Sequence, residues 1–372
     1  NGYALLAEAA CWNYSGLRMK AVGDNRFTAD LADSSFTVDD TVITPWRVVQ
    51  CADTLNDLVN ATIITDLAPA PDSDLYADTS YIKPGWSVWR WWSHGTGNPE
   101  QEKRFVDYAA SLGFQYTTID EGWEKWDAPW ETLSEICSYA SHKEVDVIVW
   151  KRSSEIYNPN HNWQNMRGFF DRVREAGAAG VKIDFMNGQT KALIDFEIAA
   201  LKLAAKRQLV VNFHGCHQST GETRSFPNEL SREGVRGLEL NKMSQGPIPA
   251  SHNAALPFTR FAVGHADYTP MTVTGLGPTT VPHQLATAIS FTSPLQTLAA
   301  DPGNLTETEF EPILAVLKQI PTVWDETQVL PGSKIGRLSV LARRKGDNWF
   351  VAGINGEDSN SYELSADFLA NG

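Results

Sequence analysis

The chain has 372 residues, with 31 Lys and Arg against 45 Asp and Glu and a net charge of −14 at pH 7. That balance excludes a nucleic-acid partner, whose phosphates demand clustered cations, and the lack of any run of about 18 apolar residues excludes a membrane-spanning helix. The length exceeds the roughly 250 residues of a single barrel, so one large domain with smaller attachments is expected.

Residues 1–80 read as part of a β domain followed by a linker. Short strand-like runs such as Thr41 to Val48 stand between turn-prone Asp and Pro, and the polar stretch Ala68 to Ser80 suits an exposed connection. From residue 81 to 310 strand-like runs alternate with helical patterns, the signature of a parallel sheet. Eight strands are expected: Trp86 to Trp92, Gln115 to Glu121, Asp146 to Lys151, Gly180 to Phe185, Leu209 to His214, Val235 to Leu240, Phe261 to Tyr268 and Ala286 to Thr292. Helical patterns fall at Glu100 to Leu112, Trp130 to Ser141, Gln164 to Ala176 and Lys191 to Arg207, the third with Met166, Phe169, Phe170 and Val173 on one face. No GxGxxG follows the first strand, and eight βα units in roughly 220 residues predict an α/β fold, a closed (β/α)8 TIM barrel. Residues 311–372 turn hairpin-like, with Leu338 to Arg343 and Trp349 to Ile354 around a Lys345 to Asn348 turn, and are expected to form an incomplete C-terminal β domain.

Cys11, Cys51, Cys137 and Cys216 lack metal-site spacing and form no dense disulfide framework. The start at Asn1, without an initiator Met or a signal pattern, leads us to expect a soluble piece of a longer chain, processed or cloned. The oligomeric state is left open by these features.

Barrel enzymes carry their chemistry at the C-terminal strand ends. Here those ends present Trp92, Asp120, Glu121, Lys151, Asp184, His214, Glu239 and Asp267. Asp184 closes the buried-looking run Val181 to Phe185 and is either a nucleophile or an ordinary Asp capping the next helix. Retaining glycoside hydrolysis needs a carboxylate nucleophile and a second carboxyl acid/base about 5 to 5.5 Å away, and Asp184 with Glu239 would supply the pair. Asp120 and Glu121 beside Trp123 offer hydroxyl acceptors next to an aromatic face, and 13 Trp provide many surfaces on which a sugar ring can stack. Glu233 and Glu239, close to Arg232 and Arg236, fit either a structural ion-pair network or a calcium site built of hard oxygen ligands.

The ordered motifs KPGWSVWRWW, TIDEGW, VWKRSS, GVKIDFM, VNFHG, PNELSREGVRGLELNK, HADYTP and TSPLQ resemble glycoside hydrolase family 97 from about Leu5 to Ile354. The resemblance implies a β-sandwich before a catalytic (β/α)8 barrel and a smaller β domain after it, so that much of the sandwich is absent here. It also implies a periplasmic or secreted bacterial enzyme. The inverting branch of the family is expected to carry base carboxylates where this chain reads Lys151-Arg152-Ser153 and His214-Gly215, with Glu155 nearby. The retaining branch, similar to α-galactosidases, matches Asp184 as nucleophile and Glu239 as acid/base. Calcium is implied near the acid/base, with Glu8, Glu233 and Glu239 as ligands. His214 and Lys151 then join Trp92, Asp120, Glu121, Trp123 and Asp267 as sugar contacts. The expected reaction is hydrolysis of a terminal α-galactoside in an oligosaccharide or glycoside. An α-glucosidase, a β-L-arabinopyranosidase and a silent carbohydrate-binding protein are the alternatives.

Overall fold

The computed structural model describes residues 2–24, 26–38 and 41–371. Its first strands are β1 (Tyr3–Ala9), β2 (Leu17–Gly23), β3 (Arg26–Leu31) and β4 (Trp46–Ala52), paired antiparallel as β1 with β4 and β2 with β3. The strand expected from Thr41 begins only at Trp46, directly after Pro45, whose nitrogen has no proton to give a ladder. The β1–β4 register sets Glu8 opposite Arg47. The N-terminal segment is tied to the rest of the chain by main-chain bonds: Ala10 N donates to Thr220 O at 2.8 Å and Gly16 N to Gln189 O at 2.8 Å.

The central sheet contains β5 (Gly85–Trp89), β6 (Tyr116–Ile119), β7 (Asp146–Arg152), β8 (Gly180–Asp184), β9 (Val210–Phe213), β10 (Glu229–Arg232) and β11 (Leu295–Leu298). All its pairings are parallel and its order is β10-β9-β8-β7-β6-β5-β11, a nearly closed barrel of seven strands. The helices Pro99–Leu112, Pro129–Ser141, Gln164–Glu175 and Lys191–Ala205 follow successive strands close to their expected bounds. Met166, Phe169, Phe170 and Val173 form the buried stripe of the third. The first is framed by an Asn98 and Gln101 capping box, Pro99 in its opening turn and Gly113 in a left-handed cap.

The last three expected strands are corrected. The sixth is β10, not Val235 to Leu240, because its sequence ELSR hides buried polar groups that are satisfied internally. Arg232 Nε and Nη2 donate to the two oxygens of Glu229 at 2.6 and 2.7 Å, and Ser231 Oγ lies 2.6 Å from Ser293 Oγ. Phe261 to Tyr268 forms no ladder among the described residues. Its tail fills the seventh place through Ala266 N to Thr292 O (3.0 Å) and Asp267 N to Arg232 O (2.8 Å), while Arg260–Ala262 makes a 3-10 turn. Ala286 to Thr292 lies mostly in the helix Val281–Ser290, capped by the Thr280 hydroxyl accepting from His283 N, and the eighth strand is β11. The C-terminal strands β12 (Glu326–Val329), β13 (Leu338–Lys345) and β14 (Asn348–Asn355) form a three-stranded antiparallel sheet. Arg343 Nη2 donates to Ser290 O at 2.9 Å and fastens that sheet to the helix before β11.

Candidate active site

Alternation along a strand sends every second side chain to the same face. In β8 this aims Lys182 and Asp184 together, and the β7–β8 register sets Trp150 beside Lys182 and Arg152 beside Asp184. These strand ends open on a cavity of about 320 Å3 lined by Trp89, Trp91, Asp120, Trp150, Lys182, Asp184, His214, Glu233 and Glu239, with Glu121, Phe185, Asn187 and Gly215 among its other walls.

Asp184 is half-buried at the tip of β8. Its Oδ2 accepts from Trp150 Nε1 at 3.2 Å and its Oδ1 from the Phe185 amide at 2.6 Å, which fixes the carboxylate at the cavity wall. Lys182 Nζ donates to Asp120 Oδ2 at 2.8 Å, as does Trp89 Nε1 at 2.7 Å, and the ammonium lies 4.4 Å from the Trp89 ring centre. Burial opposes the charge on Lys182, but Asp120, Glu239 and Asp184 outweigh it and hold the pKa above its ordinary value. Glu121 pairs with Arg152 at 3.1 Å.

Glu239 rides on the 3-10 turn Leu238–Lys242 beyond β10, and its buried Oε1 has no hydrogen-bond partner among the described residues. His214 Nδ1 approaches that oxygen to 3.3 Å without the alignment of a hydrogen bond, while Nε2 lies 2.9 Å from Asp267 Oδ2. Burial and Lys182 resist protonation of His214, yet Asp267, Glu239 and Glu233 keep it well above the usual histidine range. Glu233 accepts from the Gly215 amide at 2.7 Å, and burial pushes its carboxyl up to about 7. At Gly215 the backbone is left-handed (φ 57°), and an added Cβ would lie 3.0 Å from both Asn187 Oδ1 and Phe185 N. A side chain there would be strained by its left-handed backbone and would have to push Asn187 and Phe185 aside.

The structure places four of the expected sugar contacts away from this cavity. Lys151 has the opposite strand parity from Trp150, so its ammonium pairs with Glu124 at 2.6 Å and with Glu155 and sits over Phe169. Trp123 is fully buried and donates to Trp150 O at 2.9 Å. Trp92 is buried beneath the Lys242 ammonium. Asp267 is sealed in, with Asn212 at 2.7 Å and Thr297 at 2.9 Å on the oxygen that meets His214, and orients that imidazole from behind. The cavity is also lined by Lys182, Trp150, Trp89, Trp91 and Phe185, which the sequence did not single out; a lysine inside an apolar strand, two residues before a strand-end Asp, is the available signal for the first.

The potential metal ligands brought together are His214, Glu233 and Glu239, with donor atoms within 4.8 Å of one another. Two carboxylates, one with an orphaned buried oxygen, fit a hard cation such as Ca2+, with further oxygens needed from water or backbone. Glu8 stands apart from this trio: its oxygens hold Arg47 Nη1 at 2.5 Å and the Leu17 amide at 2.6 Å. It lines an adjoining cavity of about 560 Å3 that shares Asn187 and Gly215 with the first.

Family models for Glycoside hydrolase 97 match residues 84–235, for Glycosyl-hydrolase 97 N-terminal residues 1–70, and for Glycosyl-hydrolase 97 C-terminal, oligomerisation residues 323–372. The chain belongs to glycoside hydrolase family 97. A retaining alpha-galactosidase of Bacteroides thetaiotaomicron is 33% identical over 87% of this chain and 52% of its own length, so the chain spans about half of that relative. Among solved structures, a family 97 enzyme of Pseudoalteromonas sp. strain K8 in complex with acarbose superposes with a TM-score of 0.85 at 26% identity, over 99% of this chain and 64% of that one. A beta-arabinopyranosidase superposes with a TM-score of 0.81 at 26% identity, over 95% and 60%. No helix among the described residues is long and apolar enough to cross a membrane.

Proposed function

We propose that the chain is the catalytic portion of a retaining exo-α-glycosidase that releases terminal α-galactosyl groups from oligosaccharides or glycosides. The observation that carries this reading is the meeting of Asp184 and Glu239, from β8 and from the turn after β10, in one aromatic-walled cavity with Lys182 and His214. Asp184, held by Trp150 and its own strand end, attacks the anomeric carbon while Glu239 protonates the departing oxygen. Glu239 then takes a proton from the water that opens the covalent glycosyl-enzyme. An inverting mechanism needs a base carboxylate that positions 151–153 and 214–215 do not carry, and the left-handed backbone and close neighbours at Gly215 would strain any residue added there. The named activity of the Bacteroides relative supports the galactoside preference.

The beta-arabinopyranosidase neighbour supports a second substrate within the same mechanism. β-L-arabinopyranose shares the axial 4-hydroxyl of α-galactose and lacks its C6 group. Asp120, Lys182 and Glu121 are the charged groups able to meet such a hydroxyl, and one buried hydrogen bond lost with an equatorial epimer costs about 1–3 kcal/mol, roughly ten- to a hundredfold in kcat/KM.

Calcium is part of the proposal. Glu233 and the orphaned Oε1 of Glu239 would hold it, and it would supply a fixed positive charge between two crowded carboxylates. Chelation should then lower activity, and Ca2+ should restore it. Unchanged activity in a chelated sample shown by elemental analysis to be metal-free would remove calcium from the reading.

The mechanism is tested with a panel of nitrophenyl α-galactoside, α-glucoside and β-L-arabinopyranoside, first on the unaltered protein and then on Asp184→Gly. The variant should lose nearly all turnover, and azide should restore cleavage of the activated substrate with formation of a β-glycosyl azide. Full activity in Asp184→Gly refutes the nucleophile, and a higher kcat/KM for the glucoside refutes the sugar.

A further inference from the structure

A cavity of about 490 Å3 opens on the outer wall of the barrel, lined by Trp12, Asn13, Asn162, Trp163, Asp195 and Lys202 among others. It shares no lining residue with the cavity that holds Asp184 and Glu239. We propose that it is a second carbohydrate-binding site, which holds one part of a glycan while a terminal sugar of the same molecule is cleaved at the strand ends.

The composition of the wall points to a sugar. Two half-buried indoles from loops far apart in sequence present flat apolar area, which suits the C–H face of a pyranose ring. Around them stand the amides of Asn13 and Asn162 and the ammoniums of Lys202 and Lys206, which match its hydroxyls, while the Asp195 carboxylate is already held by Lys191 Nζ at 2.5 Å. Among the described residues the side chains of Asn13, Asn162 and Lys202 make no hydrogen bond or ion pair within the protein and are free to bind. The volume falls within the roughly 300–1,000 Å3 of small-molecule sites.

The backbone gives a separate argument. Three consecutive residues, His161, Asn162 and Trp163, hold left-handed φ values of 51°, 55° and 57°, and the loop that carries Trp12 is bent by Ala10 at 53° and Asn13 at 52°. Asn and His tolerate this region better than other residues with a Cβ, so the departures fall on Trp163 and Ala10, and departures of this kind gather at ligand clamps. The bends deliver both indoles to the same cavity. Trp163 is braced there by edge contacts with Tyr157 at 5.7 Å and Phe196 at 5.8 Å, and Trp12 by Phe226 at 5.6 Å. Aromatic walls fixed in advance lose little freedom when a ring stacks on them.

The inference rests on the reading of the chain as acting on carbohydrate, and its test separates the two. Gel electrophoresis through immobilised galactomannan would be run on the unaltered protein, on Trp163→Ala, and on Ala199→Trp, which fills the cavity from the helix that floors it. Both variants should bind the polysaccharide about tenfold more weakly, as loss of one stacking face predicts, with unchanged kcat/KM on nitrophenyl α-galactoside and unchanged circular dichroism. Ala199→Trp keeps the test decisive if Trp163→Ala fails to fold. Retardation of both variants equal to that of the unaltered protein overturns the site, as does no retardation of the unaltered protein. Equal loss of nitrophenyl cleavage and of retardation in a folded variant also overturns it, because the cavity would then be no separate site. Retardation that both variants abolish, in a protein that cleaves no nitrophenyl glycoside, would uphold the site while refuting the glycosidase reading.

Discussion

Asp120 and Lys182 are nearly inaccessible to water, with side-chain exposures of 5% and 3%, and each is the other's charge partner. Without Asp120 the buried Lys182 ammonium loses its hydrogen-bonded partner and keeps only the fields of Glu239 and Asp184, so Asp120→Ala should cost about 3 kcal/mol of stability and lower Tm by several degrees in a calorimetric scan. Glu102, in the first turn of the helix Pro99–Leu112, is a different case. One of its oxygens accepts from Gly97 N at 2.8 Å and the other is orphaned, and burial pushes the carboxyl up to about 7 despite the Gly97 amide and Arg90. A carboxyl raised from 4.5 in the unfolded chain to about 7 in the folded one retains its proton on folding. Its stabilising contribution is therefore complete below pH 4.5 and is lost as pH rises through 7, on the order of 3 kcal/mol. Glu102→Gln should flatten that decline, which urea denaturation on either side of the window would measure.

At the scale of single elements, the turn Leu238–Lys242 decides where the proposed acid/base stands. Leu238 N donates to Tyr268 O at 3.0 Å, Asn241 Oδ1 accepts from Ile248 N at 2.9 Å, and Lys242 donates to Trp92 O while lying over its ring. Asn241→Ala should loosen the turn without touching Asp184. The expected result is a loss of about tenfold in kcat/KM for substrates with poor leaving groups, which need the proton, and little change for nitrophenyl substrates; equal losses on both would contradict this. The first five strands and four helices were readable because an apolar period runs along the helices and, at Pro99–Leu112, caps agree with it, although the strand expected over Trp86 to Trp92 stops at Trp89 and passes into the helix Arg90–His94. The last three strands were not. β10 buries Glu229 and Arg232 as a matched pair, which hydropathy counts as two exposed residues, and Ala286 to Thr292 offers an apolar run that serves a helix as well as a strand. Within the site the same limits hold: Asp184 was legible as a strand end, whereas choosing between Lys151 and Trp150 required strand parity that only the ladder fixes.

Across the whole molecule, Arg232 is the centre of a buried charge network joining β10, the helix Lys191–Ala205 and the segment after β9. It meets Glu229 at 2.6 Å and Glu197 at 3.1 Å, and His217, 3.2 Å from Glu197 and 3.4 Å from Glu222, completes the set. Arg232→Met leaves three acids facing one imidazole and should destabilise the fold by about 3–5 kcal/mol, visible as a lower urea midpoint, even though Arg232 lies behind the cavity. The barrel itself closes where β11 pairs with β5, Leu295 against Gly85. On a ribosome adding about 5–20 residues per second, the free edge of β5 waits roughly 10–40 s for its partner to be made. Throughout that interval β5, paired on its other side with β6, offers one unpaired edge to any neighbouring nascent chain. Yield during synthesis would thus be governed by how well chaperones cover this one edge, and slowing translation downstream of β10 would enlarge the insoluble fraction without altering the finished protein.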